Sequence, residues 1–344
     1  MRIILLIIGS AFISLSSLSA QDYIFRPIID QNPNLVERFE TFSKYRVQRK
    51  TKVAVVGDYL HTDVFADLLA KNEKEIQSNE IDDDLNGYVD DYFGVDITTK
   101  SGALSAPKLS GHENGIVSLI AALVKNLRLQ DSVSIIPISI ELSELAFDEL
   151  TMKKLADAID YARERGAKVI SLSLGISERY RSFFNFINGD YDKSMSYLED
   201  AIKRARQAGI IIFGANSNDT NRDHVIEQQI PADLDSVISV ANVNYLGEII
   251  SGYGEATDLA FYGTDIYVWD GKDFGYKLQR GSSYATPLVA LSVALTNSVL
   301  NQEISPNRQL SERLKTACEF SIKTKRNVSS RCVFSPESFL NKHF

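Results

Sequence analysis

Apolar, largely β-branched runs recur along this chain at Val53 to Val56, Val133 to Ile140, Lys168 to Leu174, Ile210 to Phe213 and Val237 to Val243, with amphipathic stretches between them. Strands that are apolar almost continuously must be covered on both faces, which a parallel sheet with crossover helices achieves. The intervening segments His112 to Leu127, Leu145 to Arg165 and Tyr191 to Ala208 carry apolar residues at three and four spacing and predict the covering helices. Gly166 and Gly209 stand between helix and strand, where a helix-stopping glycine is expected. A last apolar helix, Ser283 to Leu300, should cross the core. The pattern predicts a three-layer α/β fold, with a mostly parallel central sheet and helices on both faces.

The flanks are organised differently. Met1-Arg2, an apolar core from Ile3 to Ile8 and small residues ending at Ala20 have the layout of a signal peptide cut after Ala20. The apolar part is well short of the ~20 residues a bilayer needs, so a secreted or periplasmic chain without a membrane span is expected. Residues 21–50 show no periodicity and read as an extended lead-in. Residues 51–303 read as one domain, and 304–344 as a helix at Leu310 to Phe320 followed by a loop-rich tail. A net charge of -8 offers no basic excess for neutralising phosphates, so nucleic acid is not an expected partner. The two cysteines, Cys318 and Cys332, could close a disulfide over a short loop worth ~3 kcal/mol, or remain two buried thiols.

Three segments carry chemistry. Gly281-Ser282-Ser283-Tyr284-Ala285-Thr286-Pro287 opens the last helix; His112 to Ala122 opens another; and Ile210 to Ala215 is a strand delivering Asn216 at its end. A serine or histidine at a helix start is ordinarily a cap, and an asparagine after a strand ordinarily a turn residue. The order and local context of the three argue for more. The serine segment resembles the G-T-S-x-A-T-P motif of the subtilisin-like serine peptidases. The histidine segment is similar, without a gap, to that family's H-G-T-H-V-A-S-I-I-A-A helix, and the strand resembles its A-A-G-N segment. Lys168 to Gly175 and Asp258 to Ile266 resemble two further family segments, the second with Tyr262 where proline is usual.

The resemblance implies a secreted serine endopeptidase that hydrolyses peptide bonds through an acyl-enzyme. Ser283 would be the nucleophile, His112 its general base and Asn216 the oxyanion amide, with Ser173, Leu174 and Gly175 pairing with an extended peptide or protein substrate. The third triad member falls on Gly57, in Val53-Ala54-Val55-Val56-Gly57-Asp58, where the family has aspartate. Asp58 is one residue late, and a regular strand would point it away from His112 unless a bulge re-aims it. Glu113 and Asp63 are other carboxylates nearby in sequence, neither at a motif position. Glu113 and Gly115 themselves depart from the family's histidine motif. These departures keep open a second function, a catalytically degenerate subtilase fold that binds peptides or acts as a scaffold. Asp82-Asp83-Asp84-Leu85-Asn86-Gly87-Tyr88-Val89-Asp90-Asp91 follows the start of a calcium loop and resembles an insertion of secreted subtilases. Its expected ligands are Asp82, Asp84, Asn86 and Asp90. The catalytic chemistry itself requires no cofactor.

Overall fold

The sequence alternation becomes a sheet whose two faces are read by odd and even residues of the same strands. In the computed structural model, which describes residues 20–104, 111–140, 149–177, 191–272, 275–322 and 326–344, β1 (Thr51–Gly57) lies between β3 (Val133–Ser139) and β4 (Val169–Leu172). Val53 and Val55 point into one apolar cluster; Ala54 and Val56 point into the other. Outward from this centre run β2 (Val95–Asp96) beyond β3 on one side, then β6 (Ile211–Ala215), β8 (Val237–Val243) and β9 (Leu259–Tyr262) beyond β4 on the other. All these pairings are parallel. The expected α/β fold with a mostly parallel sheet is the observed one.

Helices α4 (His112–Asn126) and α7 (Ser282–Val299) cover one face, and α5 (Glu149–Glu164) and α6 (Tyr191–Gln207) the other. Every residue of α7 is buried, so this helix is the axis on which its face of the sheet is packed. No helix among the described residues is long and apolar enough to cross a membrane. The stretch from Met1 to Ser19, where the signal peptide is expected, lies outside the described residues, as do residues 145–148 of the predicted helix Leu145 to Arg165.

Both flanks differ from expectation. The lead-in is helical, forming α1 (Ala20–Gln31) and α2 (Pro33–Phe39), and its Phe25, Ile28, Leu35 and Phe39 join the core. Two short helices broken at Asn32-Pro33 give too few turns for a legible period, and tertiary burial supplies their stability. The tail also belongs to the domain. After α8 (Arg308–Thr316), β12 (Cys318–Ser321) pairs antiparallel with β13 (Cys332–Phe334), and β13 extends the main sheet beside β9. Residues 318–320, expected as helix, are strand because the Cys318–Cys332 disulfide, with Cα atoms 5.6 Å apart, staples the hairpin. Tyr262, in the place of the usual proline, binds the two flanks together: Arg38 donates to its hydroxyl at 2.8 Å and pairs with Glu319 at 2.7 Å.

Asn32 is the pin of the N-terminal segment. Its side-chain amide donates to the Ile28 and Tyr267 carbonyls at 2.8 and 2.7 Å, and its oxygen accepts the Tyr267 amide at 3.1 Å. Tyr267 lies in β10 (Ile266–Trp269), which forms a hairpin with β11 (Tyr276–Gln279). Asn32 is buried, so Asn32→Ala strands the Tyr267 backbone groups and should cost ~1–3 kcal/mol. A lowered midpoint in denaturant unfolding checks this; an unchanged midpoint would contradict the pinning role.

Candidate active site

Two helix N-termini meet over the ends of the central strands. Gly111, with φ of 79°, caps α4, and Gly281, with φ of 150°, caps α7; both lie in conformations that side chains disfavour. These turns place His112 and Ser283 on the first residues of their helices. His112 Nε2 lies 2.9 Å from Ser283 Oγ, although 171 residues separate them in sequence. Burial pushes the His112 pKa below its ordinary value, while the charge of Asp58 opposes that shift. A neutral imidazole at neutral pH can accept the serine proton, which is what a general base must do.

A cleft of about 330 Å³ opens beside this pair, lined by Ser173, Leu174, Gly175, Asn218, Gln229 and Arg222 among others. The backbone at Ser173 to Gly175 lies between β4 and β5 (Ile176–Ser177) and outside both, as an edge that could receive an extended peptide. At Gly175 a Cβ would come within 2.2 Å of Gln229 Nε2, so glycine is what lets Gln229 reach over the cleft. Arg222 donates to Gln229 Oε1 at 2.7 Å and fixes its amide.

The Subtilase family model matches residues 75–333, well over half of the sequence. The chain belongs to the subtilase family. It is 27% identical over 310 residues to Subtilisin-like protease 1 of Plasmodium falciparum (isolate 3D7), covering 80% of this chain and 40% of that protein. It is 32% identical over 151 residues to the Thermophilic serine proteinase of Bacillus sp. (strain AK1), covering 43% of this chain and 32% of that one. The chain therefore spans less than half the length of these relatives. Among solved structures, a lanthipeptide protease superposes with a TM-score of 0.65 at 19% identity, covering 94% of this chain and 97% of the other. The epidermin leader peptide processing serine protease EpiP from Staphylococcus aureus gives 0.65 at 16% identity, covering 94% and 83%. These structural likenesses establish the fold.

In this subtilase Asn216 does not fill the place expected of it. Its Nδ2 donates to Gly252 O at 3.1 Å and Thr257 Oγ1 at 2.8 Å, its Oδ1 accepts the Ser217 amide, and the side chain is buried. The Asn216 carbonyl accepts the Ser282 hydroxyl, so the residue braces the loop against α7. Asn218 takes the exposed position instead. Its Oδ1 accepts the Ser282 amide at 2.9 Å, and a Cβ built on Gly281 would lie 3.2 Å from both Asn218 Nδ2 and Ser283 Oγ. Glycine thus leaves an atom-sized gap between an amide donor and the hydroxyl, the spacing needed where a reacting carbonyl sits. The signal for Asn218 was the second asparagine of Asn216-Ser217-Asn218, two residues beyond the aligned one.

The acidic loop is reorganised relative to its expected ligand set. Glu75, Asp82 and Asp84 each bring a carboxylate oxygen within 4.8 Å of the others. Glu75 Oε2 and Asp84 Oδ1 are buried without a hydrogen-bond partner, and burial together with Asp91, Asp84 and Asp83 raises the Glu75 pKa. Asp82 accepts the Asn86 and Gly87 amides at 3.0 and 2.8 Å, and the carboxylate oxygens left over on Glu75 and Asp84 are of the kind a hard cation takes. Asp90 points elsewhere: its carboxylate accepts the Asn79 and Glu80 amides at 3.0 and 2.8 Å. The Asn86 side-chain oxygen Oδ1 likewise accepts the Tyr88 amide at 2.8 Å. Glu75 lies outside the motif, so the sequence pattern could not supply it.

The carboxylates around His112 complete the site. Asp58 lies just past the end of β1, and its Oδ1 accepts the Tyr59 amide at 2.9 Å. Its charge acts on both His112 and Glu113. Glu113 is 1% exposed and neither of its oxygens makes a well-formed hydrogen bond among the described residues. Burial, reinforced by the Asp58 charge and only partly offset by the Asp58 backbone amide, pushes its pKa up to about 8. Gly115, where the family carries a second histidine, leaves room for Tyr284: a Cβ there would lie 3.2 Å from the Tyr284 hydroxyl.

Because the folded state holds the Glu113 proton more tightly than the unfolded chain, its contribution to stability is full below pH 4.5 and is lost as pH rises towards about 8. The slope approaches ~1.4 kcal/mol per pH unit at its steepest. Glu113→Gln should remove this component, so the variant gains on the wild type across that window. Thermal melts of both proteins over a pH series check it, and parallel curves would contradict it.

Proposed function

We propose that this chain is a secreted or periplasmic serine endopeptidase acting on extended peptide segments of proteins. The observation that carries the reading is the 2.9 Å contact between His112 Nε2 and Ser283 Oγ beside an open cleft. In this mechanism His112 takes the Ser283 proton as Oγ attacks the substrate carbonyl. The resulting oxyanion is held by Asn218 Nδ2 and by the Ser283 amide, at the N-terminal turn of α7 where helix amides lack intrahelical partners. Protonated His112 then delivers its proton to the leaving amine, and water, activated by the same ring, hydrolyses the acyl-enzyme. Ser173, Leu174 and Gly175 pair with the substrate backbone. Export is supported by the layout of residues 1–20 and by the Cys318–Cys332 disulfide, which favours an oxidising compartment.

A fluorophosphonate probe should label the wild type and fail on Ser283→Ala and His112→Ala. On a peptide substrate, Asn218→Ala should lower kcat ~10²-fold with KM little changed. A wild type that neither takes the label nor cleaves casein would overturn the peptidase reading in favour of a peptide-binding scaffold.

A structural calcium ion held by Glu75, Asp82 and Asp84 is proposed as well, with a role in fixing the 72–91 loop rather than in the chemistry. Calcium should raise the Tm and a chelator lower it, and both responses should vanish in Glu75→Gln. A Tm indifferent to calcium would remove the site.

A further inference from the structure

A Cβ built on Gly57 would stand 1.8 Å from Glu113 Oε2 and 2.7 Å from its carboxyl carbon. The space that a side chain on the last residue of β1 would enter is therefore filled by a carboxyl group arriving from α4. The two departures from the family pattern, glycine at 57 and glutamate at 113, are one exchange: neither an aspartate at 57 with this glutamate, nor both absent, would leave a single carboxyl group there. We infer that Glu113 is the positioning residue of His112, its carboxyl supplied from the neighbouring helix position instead of from the strand.

Three features of the site support this assignment, which rests on the peptidase reading above. Glu113 is buried to 1% exposure, directly after the base in sequence, and its carboxyl makes no hydrogen bond to another side chain among the described residues, only an electrostatic contact with the Asp58 backbone amide. Contacts to a catalytic base commonly close only when substrate is bound and the ring becomes charged. Asp58, whose charge also acts on His112, lies past the end of β1 with one oxygen engaged with the Tyr59 amide, and does not fill the space at Gly57. The ionisable groups coupled to Glu113 are Asp58 from the end of β1 and Tyr284 from α7, whose ring also packs against that of His112. Asp58 raises the Glu113 pKa, and Glu113 in turn helps raise that of Tyr284. The carboxylate form, which compensates an imidazolium, should consequently accumulate only as pH rises through about 8.

The test compares wild type with Glu113→Gln, Glu113→Gly, Asp58→Asn and the double variant Gly57→Asp/Glu113→Gly. The expected result is a kcat lower by on the order of 10³- to 10⁴-fold in both Glu113 single variants, with KM little changed. The rise of kcat towards pH 8 should disappear in Glu113→Gln, and the double variant should recover much of the loss of Glu113→Gly. Asp58→Asn should remain active, with its limb moved to lower pH. In parallel, ¹⁵N spectra of the His112 ring should show one tautomer in wild type, a mixture in Glu113→Gly and a single tautomer again in the double variant. Unchanged ring spectra in Glu113→Gly, or activity abolished by Asp58→Asn and spared by Glu113→Gln, would overturn the assignment. Absence of Ser283-dependent labelling in wild type is a failure of the peptidase reading instead, and the ring spectra still decide the role of Glu113.

Discussion

Everything at the site depends on the burial of α7. Its eighteen residues are all sequestered against the sheet, and because the helix cannot shift along its axis without exposing apolar surface, its first turn is held in place. The serine on that turn is thereby positioned to meet a histidine fixed in the same way by α4. Neither side chain is held by its own hydrogen bonds alone. The central strands β1, β3, β4 and β6 contribute by ending nearly in register, beneath the first turns of both helices.

The central sheet was legible in the sequence because a doubly covered strand leaves an unambiguous apolar record. Val53 to Val56 illustrates this, with alternate residues feeding two different cores. The flanks were not legible, since α1 and α2 are short and acquire their order from contacts such as Asn32 with Tyr267, which no local pattern announces. The hairpin at the other end hid for a related reason: its geometry follows from a disulfide and from pairing with β9, both long-range.

At the site, the residues on regular elements are legible in the sequence and those in loops are not. Ser283 and His112 keep fixed positions on helices. Asn216 stands at the strand end that resembles the family segment, yet the loop turns so that Asn218 lines the cleft exposed and Asn216 bonds Gly252 and Thr257. The same limit applied to the acidic segment, where Glu75 joins Asp82 and Asp84 from outside the repeating pattern. Glu113 is the clearest case. In sequence it is merely a substitution beside the histidine, and only three dimensions reveal that it occupies the volume vacated at Gly57.

The clasp formed by Arg38, Tyr262 and Glu319 gives the early helices a different standing from a detachable leader. Phe25, Ile28, Leu35, Phe39 and Phe42 are threaded into the same interior as α4 and α7, and Tyr45 stacks on Phe344 with ring centres 5.0 Å apart. Excising that stretch would uncover a greasy trough along the back of the histidine-bearing helix. A proteolytic cut near residue 45 would thus yield two fragments that stay associated, and maturation by release of this segment is disfavoured by the very surface it conceals.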